Sequence, residues 1–513
     1  MKEKSDSAER SHALDPRRRL EHWLPRLALL GLAGMLLFQG LAYWYRLRLS
    51  LGPRVIFQPW LLHQGFLPYE NIADQHTPLM PILLAGLRFL CSDGLVLAKT
   101  VLVVLISLST LLTFLAGRRT IGWLGALWAA SFLVVWSPTF QFGKLWHETF
   151  LAPLYLLFLL FYDSRAPHHG RKTLFLLGLA GGIAVLIKQH AAIVLLAFVV
   201  WHAVMNWRSH RSFSVLLQDT AVISLAAILP VTAFGVWHYL RAGTVTSFLY
   251  WTTTFNLISD YGSLAAQPPT YAQVKTLASA CLLLPAAIVG LIVSRRKDDR
   301  TWLDFAWGLI LLAMSSLTAY PRFEFFHFQA ALPVLAWVSA LTLAPAFRPR
   351  STGAASQPGR YLPIGVALSL LAFWAITAGS AYQPVLREDQ PQRVTEYSNL
   401  VPLAGRIRQR IGTTDYIYVF ADDEATSNLY YLTQCSPPKF WVFTYPWYML
   451  EPVRGRILDE LQEDPPEWIV YFPGRWDIED HAPDVIAYIQ DNYEPEVELH
   501  WQTSEVWLLK RVP

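Results

Sequence analysis

Eleven apolar stretches, joined by connections that are basic at every second position, constrain this chain more than any other feature. They lie near 25–45, 94–116, 120–137, 145–162, 173–187, 190–207, 214–240, 273–294, 301–319, 328–346 and 361–383. A helix needs roughly 20 apolar residues to cross a bilayer. Only 16% of the 513 residues are charged and 53% are hydrophobic, against about 25% charged in a soluble chain. The expected fold class is therefore a polytopic α-helical membrane protein with about eleven transmembrane helices. The basic connections are Arg118-Arg119, 164–172, 208–211, 294–300 and 347–360, together with the N-terminus. The positive-inside rule puts all of them in the cytoplasm. This threading divides the chain into a cytoplasmic N-terminus (1–24), a transmembrane domain (25–383) with a first outer loop at 46–93, and an extracytoplasmic domain (384–513). No cleavable signal is evident, and the first span reads as a retained anchor.

The remaining bulk features mostly exclude. A net charge of +4 gives no broad basic surface for nucleic acid. Cys91, Cys281 and Cys435 are far apart and form no CxxC pair, so no disulfide framework or zinc site is expected. The tail from about Gln383 turns acidic. It alternates β-rich runs (415–420, 467–472, 505–511) with helical ones (453–464, 482–493), which predicts a small α/β domain.

The same threading gathers ionisable residues on the outer side, from separate segments. Glu70, Asp74 and His76 lie in "GFLPYENIADQHTPLMPILLA". Glu148 opens the fourth span, Lys188 sits in the tight turn "LIKQH", and Arg322, Glu324 and His327 lie in "YPRFEFFHF". Taken singly, several have ordinary readings. Lys188 suits a snorkelling helix-end lysine, Glu148 an acid at a helix N-terminus, and His327 a core histidine. Arg322 keeps its charge and wants a fixed anion, and Asp74 is in a Pro-flanked loop rather than at a helix cap. Their shared side and mixed signs predict a polar cavity.

These segments resemble the C-type membrane glycosyltransferases, the superfamily of protein O-mannosyltransferases and lipid A aminoarabinose transferases. The first outer loop, with Gly65, Tyr69, an acidic patch and a proline before a helix, resembles the superfamily's first outer loop. The Gly-rich "GLAGGIAVLIKQ" and the late "YPRFEFFHFQAALPVLA" resemble its later motifs. The likeness covers roughly 20–385. Asn71 stands where some members carry an acid, which leaves Asp74 or Glu70 as the base.

The resemblance implies a C-type fold and inverting transfer of a sugar from a polyprenyl-phosphate donor to an extracytoplasmic lipid, polysaccharide or protein. It implies a cell inner membrane location and no cofactor beyond the lipid-linked donor. Asp74, Glu70, His76 and Glu148 are the catalytic candidates. Lys188, Arg322, His327 and Glu324 are the donor-phosphate candidates, since charge-assisted hydrogen bonds hold a leaving phosphate. Glu70, Asp74 and Glu148 are too widely spread to argue for a metal. Two rival readings stand beside this one: a transporter or flippase of lipid-linked sugars, and an inactive relative serving as an assembly subunit.

Overall fold

The structure is a computed structural model, and it describes residues 16–163, 169–209, 212–257, 264–296, 301–344, 362–387, 391–502 and 504–513. The basic connections at 164–172, 208–211, 294–300 and 347–360 lie partly or wholly outside these residues. A long helix α1 (Pro16–Tyr45) leads into the first loop, which carries α2 (Phe57–His63) and α3 (Leu79–Leu87). The bundle continues with α4 (Gly94–Ile121), α5 (Trp123–Trp136), α6 (His147–Phe161), α7 (Arg171–Ile187), α8 (Ala191–Arg208) and α9 (Phe213–Ala242). Asp93 caps α4 by accepting from the Leu95 and Val96 amides, satisfying donors that a helix start leaves open.

Each of the eleven expected stretches contains a helix, and length and apolarity alone do not establish about eleven spans. Among the described residues six helices are long and apolar enough to cross a membrane singly, and a seventh span arises if Tyr271–Ala280 and Leu284–Arg295, bent by 43°, are joined. The others, α5, α6, α7 and Leu332–Thr342, have at most 17 residues. At 1.5 Å per residue the 14-residue α5 spans about 21 Å, short of the ~30 Å hydrocarbon core. The hydropathy runs overstate these helices because apolar residues of the adjoining connections extend them. Phe140, Phe142 and Leu145, for instance, are buried in the bundle core without being helical. The chain is a multi-pass membrane protein.

The Gly-rich segment of α7 explains how closely it packs on α9. A Cβ built at Gly178 would lie 2.4 Å from the Ile223 carbonyl oxygen, and one at Gly182 would lie 2.1 Å from that of Ala227. Small residues permit such backbone approach between membrane helices.

The C-terminal domain forms a four-stranded sheet in the order β3-β4-β6-β5, with β3 (Tyr418–Phe420), β4 (Trp468–Tyr471), β5 (Tyr493–Trp501) and β6 (Ser504–Arg511). β3 and β4 are parallel, joined through helices that include Val453–Glu463; the other two pairings are antiparallel. The strand absent from the sequence reading is β5, "YEPEVELHW". It is an edge strand with a register shift at Pro495/Val497, where proline is tolerated.

This domain is tied to the first loop. β1 (Leu49–Ser50) pairs in parallel with β2 (Val394–Thr395), and the Trp441 amide donates to the Asn71 carbonyl at 2.7 Å. The Asn71 side chain accepts from the Leu67 amide at 2.9 Å and donates to the Lys439 carbonyl at 2.9 Å. Only an amide does both, which accounts for Asn rather than Asp at this position. Phe57, Trp60, Tyr69 and Ile72 of the first loop are buried in the same apolar cluster as the domain's sheet residues.

The α7–α9 contact makes a test. Gly182→Ala is expected to lower the thermal midpoint of the purified protein, since overpacking costs about 1–3 kcal/mol. Gly235→Ala, at a site open to 4 Å, is expected to hold or raise it, because alanine favours the helix by about 1 kcal/mol. Equal midpoints for the two variants would contradict the close-packing account.

Candidate functional site

The connections at one end of the bundle meet beneath the C-terminal domain. The Gln189 side chain donates to the Gln75 carbonyl at 2.8 Å, Asn256 donates to the same carbonyl at 3.0 Å, and Thr77 donates to the Val185 carbonyl at 2.8 Å. These bonds enclose a cavity of about 690 Å³, counting the solvent at its mouth. Its wall carries three cations from three segments, Arg54, Lys188 and Arg322, with His76 and His327 between them and Glu424 of the C-terminal domain opposite.

Arg54 is buried in the cavity wall. Its Nε donates to Asp74 Oδ2 at 2.5 Å and its Nη2 to Oδ1 at 3.1 Å, while Nη1 lies 3.7 Å from Glu424. The guanidinium also sits over the rings of Trp146 (4.8 Å) and Phe443 (5.0 Å). A buried, stacked, bidentate arginine is a use lysine cannot replace.

Asp74, 7% exposed, has both oxygens engaged. Besides Arg54 it accepts from Gln58 Nε2 at 3.1 Å and from the His76 amide at 3.0 Å, and it faces His76 Nδ1 at 2.9 Å. Burial alone would raise this carboxyl; Arg54 and His76 outweigh it and hold the group well below the usual carboxylate range. An ionised Asp74 keeps the proton of a neutral His76 on Nδ1, which leaves Nε2 as the ring's acceptor. Burial first, and then the Arg54 charge, push His76 below its ordinary value, so the ring is neutral at pH 7. The loop is fixed from behind, because Tyr69, at φ 69°, donates its hydroxyl to the His76 carbonyl at 2.8 Å.

A second carboxylate–imidazole pair faces the first. Glu148, 0% exposed, receives the Lys188 ammonium and His327 Nδ1, the latter at 2.7 Å. Burial and the Lys188 charge bring His327 down to about 4, so it too is neutral, with Nε2 as acceptor. Thr318 fixes its backbone by donating to the His327 carbonyl at 2.7 Å.

The structure thus brings together His76, Lys188, Arg322 and His327 on one cavity, with Asp74 directly behind. It does not bring the other three candidates there. Glu148 is sealed behind Lys188 and His327, and supports those two rather than reaching a substrate. The Glu70 side chain accepts from Ser247 on the far side of the first loop, where Arg456 donates to the Glu70 carbonyl at 3.0 Å. Glu324 lies 3.8 Å from Arg322 and does not line the cavity. Arg322 is partly exposed, with Nε donating to Gln267 at 3.1 Å.

Sequence reading missed Arg54 and Glu424. Arg54 is the one charged residue in 49–62, a lone cation among apolar residues that could have marked it. Glu424 ends the run Asp422-Asp423-Glu424 and binds Lys144 at 3.1 Å. Burial would raise its carboxyl, and Lys144 and Arg54 hold it below its ordinary value instead. No group of three or more His, Cys, Asp or Glu suited to a metal occurs among the described residues.

The burial of Arg54 and Asp74 predicts strong coupling. Truncating either one to alanine leaves an unpaired buried charge and is expected to destabilise by about 3–5 kcal/mol. The double variant should lose clearly less than the sum of the two, measured by thermal or denaturant unfolding of the purified protein; additive losses would show that the pair is not a unit.

No model of a known protein family matches the chain, and no curated protein matches it in sequence. Solved structures do match. ArnT from Cupriavidus metallidurans in the apo state is similar over 96% of this chain and 98% of its own, with a TM-score of 0.58 at 12% identity. The same protein bound to undecaprenyl phosphate matches over 94% and 97%, with a TM-score of 0.55 at 13% identity. The archaeal oligosaccharyltransferase AglB from Archaeoglobus fulgidus, in complex with an inhibitory peptide and a dolichol-phosphate, matches over 94% of this chain and 74% of its own, with a TM-score of 0.54 at 13% identity. The chain therefore has the C-type glycosyltransferase fold: a helical membrane bundle capped at one end by a small α/β domain.

Proposed function

We propose that this protein is an integral-membrane glycosyltransferase that moves a sugar, with inversion, from a polyprenyl-phosphate donor to an acceptor hydroxyl on the extracytoplasmic side of the membrane. The observation that carries the reading is the convergence of Arg54, Lys188 and Arg322 from distant segments on one cavity at the end of the bundle. The fold adds support, since the similar ArnT structure holds undecaprenyl phosphate and the AglB structure a dolichol-phosphate.

In this reading Lys188 and Arg322 hold the donor phosphate. The acceptor hydroxyl attacks the anomeric carbon from the face opposite the phosphate. The carbon–oxygen bond to the phosphate breaks with its electron pair going to phosphate oxygen, where the two cations stabilise the growing charge. The hydroxyl proton goes to Nε2 of His76. Asp74 acts behind it, keeping the ring in the accepting tautomer and stabilising the imidazolium that forms. This moves the base from Asp74, whose oxygens are occupied by Arg54, Gln58 and His76, to the ring that Asp74 orients. The position of the charges at one end of the bundle favours transfer over transport, which calls for polar groups near mid-membrane.

The test is sugar transfer by the full-length protein in nanodiscs, using a panel of undecaprenyl-phosphate hexoses and pentoses. His76→Gln is expected to lose about 10²–10⁴ in rate with undecaprenyl phosphate binding kept, whereas Lys188→Ala and Arg322→Ala weaken that binding. Because His76 must be neutral and burial with the Arg54 charge lowers it, the wild-type rate should hold at pH 7 and fall as pH drops through a value below the ordinary histidine range. Wild-type turnover in His76→Gln together with a dead Asp74→Asn would return the base to Asp74 itself. Absence of saturable undecaprenyl phosphate binding would remove the reading.

A further inference from the structure

The acidic run Asp422-Asp423-Glu424 assigns each of its side chains a separate task, and together they build something the transfer chemistry does not use. Asp422 is interior: it accepts from Trp441 Nε1 at 2.7 Å and Ser427 Oγ at 2.6 Å. Glu424 reaches the cavity wall. Asp423, between them and 3% exposed, turns the other way and holds a second loop, "GRWD". Its Oδ2 accepts from Arg475 Nε at 2.7 Å and from Trp476 Nε1 at 2.9 Å.

That second loop is strained. Trp476 and Asp477 both have left-handed backbones, at φ 61° and 49°, just after Gly474 at 65°. Two consecutive non-glycine residues there are strained and persist where the surroundings over-determine them. The strain leaves the Trp476 ring 39% exposed, held edge-on to Tyr445 at 5.0 Å and to Trp447 at 6.2 Å. Tyr445 and Trp447 are themselves stacked at 4.5 Å, and both line the cavity. Arg322 lies 6.0 Å from the Trp447 ring. Three large rings therefore run from the cavity to the surface of the C-terminal domain. The Glu424 carboxylate and the Arg322 guanidinium stand where they begin. Packing alone does not call for an exposed indole pinned by a buried carboxylate.

We propose that this aromatic ledge is the acceptor subsite, and that the acceptor is a carbohydrate whose pyranose ring lies against Trp447 and Trp476. A pyranose has an apolar C–H face that stacks on an aromatic ring, and a rim of hydroxyls that needs a hydrogen-bonding group at the ring edge, here Glu424. The ledge belongs to the C-terminal domain and runs from the cavity to Trp476 at that domain's surface, whereas a donor's lipid would lie against the bundle helices, and this assigns it to the acceptor rather than the donor sugar. This inference extends the proposed transfer reaction and rests on it for the word acceptor; the saccharide site itself does not.

The experiment is saturation-transfer NMR on the full-length protein in phospholipid nanodiscs, free of sugar detergents. The probes are methyl hexopyranosides, methyl pentopyranosides and the disaccharides maltose, cellobiose and lactose, with myo-inositol and a Gly-Ser-Thr-Gly peptide as controls. At least one saccharide should show transfer to its ring C–H protons. The signal should fall at least fivefold in Trp447→Ala and in Trp476→Ala. It should persist within about twofold in Trp447→Phe, and in Trp207→Ala, a ring exposed at the opposite end of the bundle. Undecaprenyl phosphate binding, measured separately, should be unchanged in the ledge variants, so its loss in the wild type would count against the transfer reading alone. The proposal is overturned if no saccharide shows transfer, if the signal survives in both ledge alanine variants, or if the peptide takes the same site. It is overturned as an acceptor site if saturating undecaprenyl-phosphate sugar displaces the saccharide.

Discussion

A guanidinium that cannot be deprotonated, buried in the wall of the cavity, organises this end of the molecule. Arg54 requires anions and ring faces around it. It takes them from the first loop (Asp74), the approach to α6 (Trp146) and the C-terminal domain (Phe443 and, at longer range, Glu424). Three parts of the chain that are far apart in sequence are thereby fixed to one point. Asp74 is held in turn, and its position determines the orientation of the His76 ring. A buried charge pair of this kind is weak evidence of stability, but its geometry must be met for the charge to be tolerated at all.

The two carboxylate–imidazole pairs divide labour by depth. Asp74 and Glu148 are the buried members, and His76 and His327 are the members on the cavity. Both rings take the same tautomer from the anion behind them. Lys188 distinguishes the pairs: its ammonium shares Glu148 with His327, whereas the first pair shares its carboxylate with Arg54. The cavity therefore presents neutral acceptors and fixed cations side by side. Such a surface suits an anionic group and a hydroxyl proton at once.

Much of this was legible in the sequence because it is written in local pattern. Apolar runs located the bundle helices, and the connections at one end contained His76, Lys188, Arg322 and His327, which do converge. The span count was less legible, since phenylalanines such as Phe140 and Phe142 in connecting turns pack like membrane residues. Asp74 was found, but not that its oxygens are filled, because Arg54 and Gln58 reach it only through the fold of the first loop. Glu148 read as a helix-start acid, and no local pattern reveals that Lys188 seals it from the cavity. Glu424 and the Tyr445–Trp447–Trp476 ledge were out of reach. They come to the site by docking of a domain that joins the first loop through β1–β2 and Asn71, a contact between residues more than 300 positions apart.

The central claim is that the cations of this cavity hold a lipid-linked phosphate. A single-particle structure of the full-length protein in nanodiscs with undecaprenyl phosphate tests it most directly. The account predicts phosphate density in the cavity beneath the C-terminal domain, with oxygens about 2.7–3.2 Å from Lys188 Nζ or the Arg322 guanidinium. Phosphate density at the opposite end of the bundle, beside Arg119 and Asp163, with the cavity cations unengaged, would contradict it.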